Sequence, residues 1–203
     1  PEVEADDVIA AVTNLDYYKG WQKVIVSSDK DFLQLCDHET VLYRPIQKVV
    51  MNRNKVIEEY GIHPTNMALA RAIVGDKSDN LDGIPGIGLK TVAKRFPFMA
   101  ESKSYTIDDL ISLCENHEDS KLKVYTSIVE GREVIEQNYG LMQLYVPSLS
   151  PQGKQKIKYS VEKSEKHFNQ TEINVMMLQD GMGVWDWTTL FTTMKRIAAN
   201  SRE

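Results

Sequence analysis

Three short acidic runs constrain this chain more than any other feature: Glu4-Ala5-Asp6-Asp7, Asp29-Lys30-Asp31 and Asp76-Lys77-Ser78-Asp79. Each run is local, and only tertiary folding can draw the three together. Taken singly they have ordinary readings. Acids in a helix's first turn act as caps or dipole partners, and the other two runs make solvated turns. Taken jointly they outline an oxygen-only site for hard cations such as Mg²⁺ or Mn²⁺, because no His or Cys accompanies them. Gathering like charges raises some carboxylate pKa values, so a metal-free cluster is expected to be partly protonated.

The third run leads into Gly83-Ile84-Pro85-Gly86-Ile87-Gly88-Leu89-Lys90-Thr91, which has three competing readings. The glycine order is wrong for a dinucleotide fingerprint. Gly83, Gly88, Lys90 and Thr91 come near a P-loop, but Leu89 separates glycine from lysine and no strand is expected before Gly83. The third reading is a tight hairpin between short helices, whose amides and following cations Lys90, Lys94 and Arg95 hold a phosphate backbone without reading sequence. A plain helix–turn–helix corner is the alternative to all three. Metal ligands beside a phosphate-binding turn point to phosphodiester chemistry. The net charge of −5 does not exclude a nucleic-acid partner, since an acidic metal cluster concentrates negative charge while the cations gather elsewhere.

Periodicity organises the rest. Residues 3–18 read as a helix, Val24-Ile25-Val26 as a buried strand, and Lys30 to Cys36 as helical again. Thr40 to Tyr43 and Lys48 to Met51 read as strands around Pro45, which makes the start of the chain α/β. Helices follow at Lys55–Tyr60, Met67–Val74 and Leu89–Phe96. Thr106 with Asp109 resembles a capping box before the helix Asp109–Glu115. Further helices are expected at Ser120–Glu130, Arg132–Leu144, Thr171–Gln179 and Trp187–Ala198, with a Pro/Ser/Gly-rich linker over Pro147–Lys156. This divides the chain into a core part at 1–75, a hairpin region at 76–146, and a linker with C-terminal helices at 147–203. No apolar run approaches the ~20 residues that span a bilayer, so no membrane partner is expected. Cys36 and Cys114 lack motif spacing and read as small core residues of a reduced, cytoplasmic protein. His38, His63, His117 and His167 are isolated. Tyr17, Tyr18 and Trp21 could stack on an exposed base but read first as packing about a helix end, and Trp185 and Trp187 read as anchors of the last helices.

With those residues in view, the chain resembles the flap endonuclease and 5′-nuclease superfamily, and especially bacterial and phage 5′→3′ exonucleases and the 5′-nuclease domain of DNA polymerase I. The likeness rests on Glu4 to Ala10, Ser27 to Leu35, Gly75 to Leu81 and the hairpin Gly83 to Thr91, in that order across residues 1–95. The resemblance implies a PIN-like, Rossmann-like α/β core with an inserted helix–hairpin–helix and a helical C-terminal region. It implies two Mg²⁺ (or Mn²⁺) ions about 4 Å apart. Glu4 and Asp6, with Asp7 close by, would hold one ion; Asp29, Asp31 and Asp79, assisted by Asp76, would hold the other. Gly83, Ile84, Gly86, Gly88, Lys90, Thr91, Lys94 and Arg95 would bind DNA, with a K⁺ ion on the hairpin carbonyls. The substrate would be DNA with a 5′ flap or 5′ end, or an RNA–DNA hybrid, during replication or repair in a bacterial or phage-infected cell.

The family's first strand, with its Asp, and its basic helical arch have no counterpart from Pro1 onward. The expectation is therefore the C-terminal part of a larger unit, completed by an N-terminal segment in cis or in trans, or else a degenerate member. A non-catalytic DNA-binding module using only the hairpin stays open as the rival function, and a P-loop phosphotransferase as a third.

Overall fold

The computed structural model describes residues 3–145, 149–163, 169–182 and 186–200. In chain order the elements are α1 (Ala5–Thr13), a 3₁₀ turn (Asp16–Tyr18), β1 (Lys23–Val26), a 3₁₀ turn (Asp31–Leu35), β2 (Thr40–Arg44) and β3 (Val49–Met51). Then come α2 (Arg53–Tyr60), α3 (Pro64–Val74), β4 (Gly75–Asp76), β5 (Leu81–Asp82), α4 (Leu89–Arg95) and a 3₁₀ turn (Pro97–Ala100). The remainder is helical: α5 (Ile107–Glu115), α6 (Lys123–Glu130), α7 (Arg132–Met142), α8 (Pro151–Lys163), α9 (Gln170–Gln179) and α10 (Trp187–Asn200). The chain forms two compact units, one running to Lys158 and the other from Tyr159.

The helix expected over 3–18 breaks at Asn14. There the Thr13 hydroxyl and the Asn14 amide both donate to the Ala10 carbonyl, and the chain re-enters as a separate 3₁₀ turn. The segment 31–35 is likewise 3₁₀ rather than α-helical. Asn52 and Gly61 delimit α2: the Asn52 side chain accepts from Lys55 N–H, and Gly61 takes the left-handed conformation that closes a helix. The Thr106–Asp109 capping box forms in both directions, with Asp in the role Glu usually fills.

A three-stranded sheet in the order β1-β2-β3 pairs parallel, then antiparallel. Register puts Ile25, Leu42 and Met51 side by side on one face, and all three are buried. Phe32, Leu33 and Leu35 and the apolar residues of α3 belong to the same core. The opposite face departs from expectation. Val24 pairs with Val41, Val26 with Tyr43 and Tyr43 with Val50, yet Val24 is 56% exposed and Val26 66%. A strand paired in parallel is ordinarily covered on both faces, and this one is covered on one. Trp21, also exposed, joins Val8 and Val12 of α1 along a groove of about 480 Å³ beside β1. Tyr18 meets Tyr17 and Trp21 edge to face, while Tyr17 and Trp21 are themselves exposed.

Helix α3 lies at the centre of the first unit, packed on α7 and on the 31–35 turn. Two buried asparagines tie its ends. Asn66 donates to the carbonyls of Met99, Glu101 and Lys103 and accepts from Tyr105 N–H. Asn138 of α7 donates to the carbonyls of Ala72 and Asp82. Cys36 and Cys114 are buried free thiols, pushed up to about 12 and about 11 by burial. His63 is buried, and its Nδ1 accepts from Thr65 N–H at the start of α3.

The expected linker is largely helix. From Pro151 the chain forms α8, started by the Ser150 hydroxyl accepting from Gly153 N–H and carried by Gln, Lys and Glu, which are good helix formers. Residues 146–148 lie outside the described residues, as do Trp185 and His167. In the second unit Asn169 caps α9, and the Trp187 ring stacks on Phe191. Among the described residues no helix is long and apolar enough to cross a membrane.

The two sheet faces respond differently to substitution. Leu42→Ala should lower the unfolding free energy by about 2–5 kcal/mol through a core cavity. Val26→Thr on the open face should change it by about 0.5 kcal/mol or less. Urea denaturation of both variants checks this.

Candidate metal centre

Each acidic run is presented by a defined piece of backbone. Glu4 is the extended residue before α1 and makes no capping bond with its side chain, so the cap reading fails for it; Asp6 and Asp7 occupy the first turn. Asp29 follows the end of β1. Its Oδ1 accepts Asp31 N–H at 2.8 Å and its own N–H donates to the Ser27 hydroxyl, so the turn reading is correct locally. Asp79 sits in the turn between β4 and β5, which pair antiparallel.

Tertiary folding brings six of the seven acids together. Glu4, Asp6, Asp7, Asp29, Asp31 and Asp79 line one cleft of about 540 Å³, which Gly140 to Leu144 also line. A cavity of about 490 Å³ elsewhere in the first unit is lined by a single acid, Asp37. Asp76 is turned to a different task. Its Oδ2 takes Arg71 Nη2 at 2.6 Å, and its Oδ1 takes the N–H and hydroxyl of Ser78. Among the described residues, no three carboxylates stand close enough to hold an ion as they are. The donor set nonetheless suits a hard divalent cation in kind: it is all oxygen, strongly negative and partly desolvated. Side chains must draw inward to close on one.

The electrostatics carry the mark of burial first and of like charge second. Burial raises the pKa of Asp6, helped by Asp29, Glu4, Asp7 and Asp79. Burial pushes Asp31 up to about 6, against the lowering pull of Arg71 and with a further push from Asp29. Repulsion between like charges is the cause that the acidic runs suggest; desolvation leads in both cases. Asp76, hydrogen-bonded to Ser78 and Arg71, falls to about 2.

Two contributors escape the sequence reading. Gln34, buried within the apolar run Phe32 to Leu35, donates to the carbonyls of Asp31 and Met142 and accepts from Leu144 N–H. It thereby fixes the C-terminal end of α7 as a wall of the cleft. Helix C-termini carry partial negative charge, which adds to the negative charge of the cleft. Arg71 is the other. Their shared signal is a polar side chain at a position that the apolar pattern assigns to the core.

The hairpin is only partly as expected. Ile84 and Ile87 are buried anchors, so Ile84 could meet a ligand only through its backbone. Gly83 answers to packing: a Cβ there would lie 2.0 Å from the Val74 carbonyl oxygen. Gly86 has φ +79° with open space around it, and Gly88, also open, precedes α4. Thr91 is half-buried, and its N–H donates to the Gly88 carbonyl at 2.8 Å. Lys90, Lys94 and Arg95 are exposed. A strand does precede Gly83, contrary to expectation, but it is the two-residue β5 of a tight turn rather than a strand of the main sheet.

Residues 1–61 match the family model described as 5′-3′ exonuclease, N-terminal resolvase-like domain. The 5′-3′ exonuclease of Aquifex aeolicus is 41% identical over 91 residues, covering 45% of this chain and 32% of that protein. DNA polymerase I of Mycobacterium tuberculosis is 34% identical over 140 residues, covering 67% of this chain and 15% of the polymerase. These matches support the flap endonuclease/5′-3′ exonuclease family for this chain. The solved T5 5′-exonuclease superposes with a TM-score of 0.64 at 19% identity, over 79% of this chain and 66% of that one, and the shared fold is PIN-like α/β. A T5 flap endonuclease solved with DNA and metal ions aligns with a TM-score of 0.64 at 19% identity, over 79% of this chain and 59% of that one. The match thus spans a minor part of either curated family member.

The pKa shifts set a pH dependence for the metal-free chain. Asp31 binds its proton more tightly when folded (about 6) than at the ordinary 3.8, so its contribution to stability is lost as pH rises from about 4 to 6. Asp6 acts in the same direction. Asp76 acts oppositely, its contribution being lost as pH falls from about 4 to 2. In EDTA the thermal midpoint should therefore be higher at pH 5 than at pH 7.5, and Asp31→Asn should flatten that slope. Scanning calorimetry across the range checks both.

Proposed function

We propose that this chain is the metal-binding and hairpin-bearing part of a divalent-metal-dependent, structure-specific 5′ nuclease that hydrolyses DNA phosphodiester bonds in replication or repair. The observation that carries this is the convergence of six carboxylates from three separate runs on one cleft. Glu4, Asp6 and Asp7 would hold one Mg²⁺ or Mn²⁺ ion; Asp29, Asp31 and Asp79 would hold a second, with Asp76 supporting them through its turn. Bound there, the ions would activate water and neutralise charge on the phosphate. Asp6 and Asp31 would give up their protons on ligation, so ion affinity falls below about pH 6.

The hairpin is assigned to the duplex backbone through amides at Gly86 and Gly88 and the exposed cations Lys90, Lys94 and Arg95, with K⁺ on its carbonyls. Substrates in this reading are DNA with a 5′ flap or 5′ end, or an RNA–DNA hybrid, in the cytoplasm of a bacterial or phage-infected cell. A further N-terminal segment, in cis or in trans, would complete the nuclease. What supports that is the apolar sheet face on which Val24, Val26 and Val50 are exposed beside half-buried Val41 and Tyr43, which another layer would bury.

Two experiments test this. Supplied with the complementary N-terminal segment and Mg²⁺, the chain should cleave a 5′-flap substrate far faster than alone. Asp29→Asn with Asp31→Asn should reduce that rate by at least about 100-fold, the scale on which lost charge stabilisation is felt; equal rates would remove these carboxylates from the reaction. Separately, duplex DNA binding measured by anisotropy should weaken steeply with salt, and Lys90→Glu should weaken it on every sequence. Binding without cleavage in the completed protein would favour the non-catalytic module.

A further inference from the structure

Helix α3 is uncharged except at one point. Arg71 is its single charged residue, and it is 5% exposed. A buried guanidinium is costly unless carboxylates neutralise it, and this one has two. Its Nε lies 2.6 Å from Asp31 Oδ1, and its Nη2 lies 2.6 Å from Asp76 Oδ2. Both carboxylates are themselves largely shielded from water. Arg71 therefore stands beside the cleft as a fixed positive charge. One of its partners, Asp31, lines the cleft; the other, Asp76, lies in β4 at the base of the turn that delivers Asp79 to it.

Any ion entering the cleft meets that charge. Asp31 Oδ1 is buried and faces the guanidinium at ion-pair distance without an aligned hydrogen bond. A cation that took Asp31 would share that carboxylate with Arg71, and the two positive charges would repel. We propose that Arg71 is a positioning residue of the cleft, a resident cation that holds Asp31 and the Asp76 turn in place and competes with a divalent ion for Asp31. The inference rests on the metal reading of the cleft.

The test uses the full 203-residue chain. Thermal midpoints are measured in EDTA and against rising MnCl₂, and Mn²⁺ isotherms by calorimetry, for the wild type, Arg71→Met and Arg71→Lys. Met keeps length and removes charge; Lys keeps charge and loses the two-pronged grip. Arg71→Met should melt lower in EDTA, gain more from Mn²⁺ than the wild type, and bind Mn²⁺ at least about tenfold tighter, because a neighbouring unit charge has been removed. Arg71→Lys, free to withdraw from Asp31, should bind Mn²⁺ about threefold tighter than the wild type. If Arg71→Met does not fold in EDTA, the Lys variant decides the matter alone. A wild type that responds to Mn²⁺, with variant affinities equal to or weaker than its own, overturns the role of Arg71 and leaves a merely structural ion pair. A wild type that does not respond to Mn²⁺ overturns the metal reading and the Arg71 proposal with it.

Discussion

Concentrating carboxylates in one partly desolvated cleft is unfavourable for the fold taken alone, and the surrounding structure is arranged to tolerate it. Burial leaves Asp31 holding its proton up to about pH 6, and the centre of the first unit is fitted around that residue. Gln34 grips the Asp31 carbonyl and the end of α7 together, while Arg71 faces the carboxylate from α3. Helix α3 is in turn joined to α7 through the bond from Asn138 to the Ala72 carbonyl. The elements that hold this acid away from water are therefore the ones that pack the core.

The turn between β4 and β5 shows the same coupling of packing to charge. Gly75 and Gly83 let two backbone segments approach where a Cβ would overlap carbonyl or amide atoms. That contact closes the turn, and the closed turn sets Asp76 against Arg71 and Asp79 into the cleft. A side chain at Gly83 would disturb the acidic site before it disturbed any phosphate contact. Gly86 and Gly88 face no such restraint, which leaves their amides to whatever the hairpin binds.

Helices α2, α3, α5, α6 and α7 were legible in the sequence because caps and period are local signals. The acidic runs were legible because their residue types are wrong for a core and their joint chemistry is narrow. What escaped is non-local. Nothing in Val24-Ile25-Val26 distinguishes a strand covered on two faces from one covered on one, since the covering layer is not encoded in the strand. Ile84 and Gly83 read as parts of a ligand loop because the contacts that bury them, with Val74 and Gly131, lie elsewhere along the chain. Ser150, Pro151 and Gly153 of the expected linker stand at the start of α8, where a proline in the first turn is tolerated and a serine can cap.

The protonation of the cleft follows from the same electrostatics. Burial and the mutual repulsion of six carboxylates both favour bound protons, and Asp6 and Asp31 hold theirs more tightly than usual. A divalent ion would reverse that, since ligation favours the ionised form and offsets the repulsion. Arg71 limits how far that repulsion can distort the site, because it fixes Asp31 and Asp76 whatever the other acids do. The cleft thus sets an acid that Arg71 neutralises beside the acids presented at the start of α1.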